Sequence, residues 1–98
     1  MPNARHQDRR QHPRIRVSWP VVVNVAKNRY LSYSLNISMI GAKVRTKARL
    51  ATGTSVQLEF VPPEGPPLHV GAVVWRADSD GLAFRFSREI RHRLIRTA

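Results

Sequence analysis

Apolar residues in this chain recur at every second position over short runs, and turn-forming residues interrupt each run. A rhythm of two marks half-buried strands, because successive side chains on a strand point to opposite faces. Val17, Trp19, Val21, Val23 and Val25 share one side of the first run, with Pro20 suggesting an edge or a bulge. After a turn at Lys27-Asn28-Arg29, Leu31, Tyr33, Leu35 and Ile37 form the apolar side of a second run, alternating with Tyr30, Ser32, Ser34 and Asn36. A third follows the turn from Asn36 to Gly41, where Ala42, Val44 and Thr46 alternate with Lys43, Arg45 and Lys47. Thr52-Gly53 opens onto Val56, Leu58 and Phe60, and the Pro-rich stretch from Pro62 to Pro67 ends that run. Leu68, Val70, Ala72 and Val74 precede an acidic turn, Asp78 to Gly81, and a last run carries Leu82, Phe84 and Phe86.

Six short strands joined by turns predict an all-β fold, a small antiparallel six-stranded β-barrel, since closure removes exposed strand edges. With 98 residues there is room for one domain and one modest core. Ser87 is placed to cap a helix whose apolar stripe is Ile90, Leu94 and Ile95, so a C-terminal α-helix is expected over one end of the barrel. Ahead of the strands, residues 1–14 are basic and almost devoid of apolar side chains. They are expected to form a flexible N-terminal arm that orders on binding, with the barrel and its helix occupying residues 15–98.

Seventeen Lys+Arg against six Asp+Glu give a formal net charge of +11. Fourteen of those cations are arginines, whose planar fork of donors suits bidentate phosphate contacts and lies flat on aromatic rings. The partner implied is anionic and phosphate-bearing; charge alone does not separate a nucleotide from a nucleic acid. There are no cysteines, which removes disulfides, thiolate metal sites and thiol nucleophiles. No Ser-His-acid grouping stands out, and His6, His12, His69 and His92 lack the spacing of metal ligands, so neither an enzyme nor a metal site is expected. No apolar run approaches the roughly 20 residues of a membrane-spanning helix, and no signal-like segment opens the chain. A cytoplasmic protein without a membrane span is the expectation.

Two groups of residues remain as candidates for binding. Arg9, Arg10, Arg14 and Arg16 precede the first strand and could close on a phosphate from several sides, or could simply be a solvated basic tail. In Asn36-Ile37-Ser38-Met39-Ile40-Gly41, short polar side chains and a glycine make a turn that could either present them to a ligand or spend them on its own backbone. Trp75 lies in the strand phase opposite Val70, Ala72 and Val74. It reads either as an outward ring available for stacking or as a partly buried barrel aromatic.

Taken together, Arg10-Gln11-His12-Pro13-Arg14 and Asn36 to Gly41 resemble the paired signature of the PilZ family, an Arg-x-x-x-Arg motif upstream of an Asp/Asn-x-Ser-x-x-Gly turn. The Gly71 to Trp75 and Gly81 to Phe86 strands also look like PilZ strands, and the resemblance covers roughly Asp8 to Arg88. It implies a non-enzymatic receptor for cyclic di-GMP. Arg10 and Arg14 would grip phosphates and guanines, Asn36 and Ser38 would bond the guanine edge, and Gly41 would keep the turn open. In PilZ proteins an arginine just before the first motif accompanies a stacked pair of ligands, so Arg9 implies two cyclic di-GMP molecules per domain. The family further implies an unnamed downstream protein partner and bacterial processes such as motility, adhesion or exopolysaccharide control. A nucleic-acid-binding small barrel of the OB or cold-shock kind is the alternative, motivated by charge. Against it, Trp19, Tyr33, Phe60, Phe84 and Phe86 fall on the apolar phase, which would leave no exposed stacking row.

Overall fold

The period-two pattern becomes six strands in the computed structural model, which describes residues 12–95. They are β1 (Pro20–Val25), β2 (Asn28–Ile37), β3 (Gly41–Arg45), β4 (Ser55–Phe60), β5 (Leu68–Asp78) and β6 (Gly81–Phe86). Every pairing is antiparallel, and the sheet closes on itself in the order β1-β2-β3-β6-β5-β4. β1 completes the ring by pairing with β2 on one side and β4 on the other, as in Val21 opposite Ser32 and Phe60. The expected all-β six-stranded barrel is therefore present.

Alternate residues of each strand fill the interior. Val21, Val23, Val44, Leu58, Phe60 and Val74 are all but inaccessible, and Phe60 meets Phe86 edge to face with ring centroids 5.8 Å apart. Trp19, Met39, Ile90 and Ile95 join the same cluster, and Trp19 packs edge-on against His92 at 5.1 Å. At β2, however, the phase differs from the sequence expectation. Leu31 and Tyr33 point outward, at 82% and 55% exposure, whereas Ser32 and Ser34 are buried. A bulge between Ser34 and Asn36 leaves Leu35 without a register partner and returns Ile37 to the core.

Hydrogen bonding explains why serines occupy the interior. Ser34 Oγ accepts from the Trp19 N–H at 2.9 Å and donates to the Val17 carbonyl, while the Ser34 N–H donates to the Trp19 carbonyl at 2.9 Å. The segment before β1 has no regular strand partner there, so Ser34 satisfies backbone groups that would otherwise be buried without one. Ser32 Oγ lies 2.8 Å from Thr46 Oγ1 and fastens the start of the β3–β4 loop in the same way.

The helix expected from Ser87 does not form over residues 87–95. The Ser87 N–H donates to the Gly71 carbonyl and the Ile90 N–H to the Met39 carbonyl, at 2.8 and 2.9 Å, so these backbone groups are spent across the barrel. Ile90 and Ile95 enter the core separately, while Leu94 faces outward, so no helical stripe is buried. A segment this short gains more from those cross-barrel bonds than from an isolated helix.

On the outer wall Lys43 Nζ reaches Asp78 at 3.0 Å and Asp80 at 3.1 Å, and Arg76 grips Asp78 through two nitrogens at 2.8 and 3.0 Å. The hydrogen bond from Arg76, followed by that from Lys43, holds the Asp78 carboxyl down from its ordinary 3.8 to about 2. A depressed carboxylate stabilises the fold above 3.8 and loses that contribution as pH falls through about 2. Acid titration of the unfolding midpoint should show a loss of stability across that window, and Asp78→Asn should flatten it. Ser34→Val, which strands the Trp19 N–H and the Val17 carbonyl, is expected to cost about 1–3 kcal/mol in urea denaturation. A change within about 0.5 kcal/mol, the size of an ordinary surface substitution, would refute the role given to Ser34.

Candidate ligand-binding face

Beyond the bulge, Ile37 is the residue that fixes the chain upstream of the barrel. The Ile15 N–H donates to the Ile37 carbonyl at 2.8 Å and the Ile37 N–H returns to the Ile15 carbonyl at 2.9 Å. This bridge sets Arg14 beside Asn36, where Arg14 Nη1 donates to Asn36 Oδ1 at 2.8 Å. One member of the arginine motif thus touches the first residue of the turn motif, although 22 positions separate them in sequence. Arg9 and Arg10 lie outside the described residues. His12, between the two motif arginines, approaches Glu89 at 3.5 Å, a long-range contact that no spacing pattern announces.

The Asn36–Gly41 turn is rigid for reasons visible in its bonds. The Ser38 N–H donates to the Gly41 carbonyl at 2.8 Å, Ser38 Oγ lies 3.3 Å from the same oxygen, and the Ile40 N–H donates to Ser38 Oγ at 3.2 Å. Ser38 is buried at 1% exposure, so its hydroxyl shapes the turn, whereas the Asn36 amide stands at the surface beside Arg14. The turn is also sewn to the C-terminal segment. The Phe86 N–H donates to the Ile40 carbonyl and the Ile90 N–H to that of Met39.

Gly41 has a reason other than the backbone freedom expected of it. Its φ is not in the left-handed region, which among glycines is occupied only by Gly53 and Gly65 in the described residues. A Cβ at Gly41 would come within 2.5 Å of the Phe84 carbonyl oxygen on β6. Glycine there allows β3 and β6 to approach closely just where the turn begins.

Across the outer wall, Asn36 is opposite Lys43, Lys43 opposite Ala83, and Ala83 opposite Arg76, so β2, β3, β6 and β5 present one continuous face. Trp75 lies in the bulge between Val74 and Arg76 and is 53% exposed, as its strand phase predicted for the outward reading. The Arg85 guanidinium stacks over its indole at 4.1 Å. Arg85 is also opposite Gly41 in register, and so links the tryptophan to the turn. Sequence reasoning passed over Arg85 and Lys43. Their signal was the outward phase between Phe84 and Phe86 and between Ala42 and Val44. The face thus combines an amide, guanidinium groups and a flat indole, the groups that recognise phosphates and planar heterocycles.

The PilZ domain model matches residues 8–97. Among solved structures, the chain is similar to the Bacillus subtilis inhibitor of motility (MotI/DgrA), with 24% identity and a TM-score of 0.70. That match covers 83% of this chain but only 44% of the MotI chain. It is also similar to the PilZ domain of CeSA from a cellulose-synthesizing bacterium, with 27% identity, a TM-score of 0.65, and coverage of 84% of this chain and 85% of the other. No curated protein matches. With the family model spanning nearly the whole chain and a PilZ domain among the solved structures of similar fold, the protein belongs to the PilZ domain family, a cyclic di-GMP-binding family.

Proposed function

We propose that this chain is a non-enzymatic cyclic di-GMP receptor whose arginine arm closes over the ligand against the barrel. The observation that carries this reading is the Arg14–Asn36 hydrogen bond, which joins the two halves of the family signature in one place. Arg10 and Arg14 supply charge-assisted contacts to phosphate, the Asn36 amide reads a guanine edge, and Ser38 and Gly41 hold the turn that presents Asn36. Trp75 offers a ring face for a guanine once Arg85 shifts or shares it. Arg9 sets a stacked pair of ligands as the bound species. Closing of the arm ahead of Arg14 over the bound ligand alters a surface that a downstream protein reads, a switch by ordering of a segment.

The nucleic-acid alternative is less well supported. The exposed aromatics Tyr33 and Trp75 sit on β2 and β5, separated by β3 and β6, so no row of rings follows a strand for successive bases.

Isothermal calorimetry should detect cyclic di-GMP binding at micromolar concentration or below, and its absence would overturn the receptor reading. Arg14→Ala should weaken binding by roughly 30-fold or more, since truncating one hydrogen-bonded charge in an interface costs about 2–5 kcal/mol. The barrel should stay folded by far-UV circular dichroism. Arg9→Ala is expected to reduce the calorimetric stoichiometry from two ligands per chain to one. An unchanged stoichiometry would remove Arg9 from that role.

A further inference from the structure

Toward the β1–β2 turn, the first half of β2 turns its apolar side chains to solvent. Leu31 and Tyr33 are the two most exposed large apolar residues among those described, and both face outward because the serines between and beside them are committed inside. Leu31 is opposite Val22 and Tyr33 opposite Arg45 in register. Arg29 shares their face two residues before Leu31, and Lys27 stands in the β1–β2 turn. The Ser32–Thr46 contact draws in the loop that carries Lys47 and Arg49.

Charge pairing is uneven around the barrel. Lys43 and Arg76 are held by Asp78, Arg91 by Glu89 and Arg93 by Glu64, while Arg85 rests on Trp75. Lys27, Arg29, Arg45, Lys47 and Arg49 are exposed and take no ion-pair partner among the described residues, as is also true of Arg16 ahead of β1 and of Arg88, which donates to backbone carbonyls. The carboxylate nearest in register to the apolar pair is Glu59, opposite Val22, and it is engaged by His69 at 3.5 Å.

We propose that this wall docks on an anionic lipid membrane, with Leu31 and Tyr33 as anchors and Lys27, Arg29, Arg45, Lys47 and Arg49 as headgroup contacts. Reversible attachment needs two signals, apolar insertion and basic attraction, and both coincide here. The anchors project from a convex wall, which a fluid interface can receive without a matching pocket. A phenol suits the headgroup level, where its ring is buried and its hydroxyl stays wet. The cations are spread over a turn, two strands and a loop, matching a diffuse anionic surface better than one oriented acidic side chain. This docking does not rest on the cyclic di-GMP reading, since none of its residues belongs to the Arg14–Asn36 site or to the Trp75–Arg85 stack.

Co-sedimentation of the full chain with vesicles of phosphatidylcholine, alone or mixed with phosphatidylglycerol, tests the proposal. Binding is expected only to the mixed vesicles. The double variant Leu31→Asn/Tyr33→Asn leaves the charge unchanged and should lower the partition coefficient about tenfold or more. Leu94→Asn, which removes an exposed apolar side chain elsewhere, should leave it unaltered. Circular dichroism confirms that each variant is folded. No binding to mixed vesicles would overturn the proposal. So would an equal effect from Leu94→Asn, or no effect from the double variant, which would leave only diffuse adsorption of a +11 chain. Binding to soluble polyglutamate that depends on Leu31 and Tyr33, without vesicle binding, would reassign the wall to an acidic protein.

Discussion

The hydroxyl of Ser34 sits at the start of a chain of dependencies. It holds the backbone of Val17 and Trp19 against the inner face of β2, and this aligns Ile15 with Ile37. That pairing in turn brings Arg14 to Asn36. A hydroxyl at full burial is tolerated because both its donor and its acceptor capacity are used. The bulge that follows is the counterpart of this choice. Once β2 has turned its serines inward, one extra residue is needed to bring Ile37 back to the core and leave Asn36 at the surface.

A second set of bonds supports the turn from the other side. The carbonyls of Met39 and Ile40 accept from Ile90 and Phe86, so the turn is fixed by β6 and the C-terminal segment as well as by its own serine. Gly41 lets β3 press against β6 at the same level. Asn36 is therefore displayed from a support with little freedom, beside the long and conformationally adaptable side chain of Arg14. That division suits recognition, because preorganised groups lose less entropy on binding.

Much of this architecture was legible in the chain. The alternation of β1, β4, β5 and β6 located the core, and the Pro-rich and acidic turns located the breaks. Trp75 was correctly assigned to the outward phase as one of two readings. What alternation could not reveal was β2. Leu31, Tyr33, Leu35 and Ile37 look like one apolar side, and only the long-range bonds of Ser32 and Ser34 reverse the first half. Ser87 to Ile95 failed for a related reason. The residues suit a helix, but their backbone N–H groups find acceptors on distant strands, a competition that propensity does not encode. At the site, the motif spacing identified the turn and Arg14 while assigning Ser38 and Gly41 to ligand contact and backbone freedom. Burial and strand approach, which exist only in three dimensions, put the Ser38 hydroxyl inside the turn and Gly41 against β6. Arg9 and Arg10 lie beyond the described residues and keep the roles that the family signature suggests.

The strand alternation of a closed barrel also separates inheritance of the fold from inheritance of its surfaces. Inward positions are bound together by packing and must change in concert, whereas an outward residue answers chiefly to its own wall. The surface around Asn36 and Trp75 and the surface around Leu31 and Tyr33 share the same interior but no outward side chain. Each wall is thus free to acquire or lose a binding habit without disturbing the other, so that one small core can serve lineages whose recognition tasks have drifted far apart.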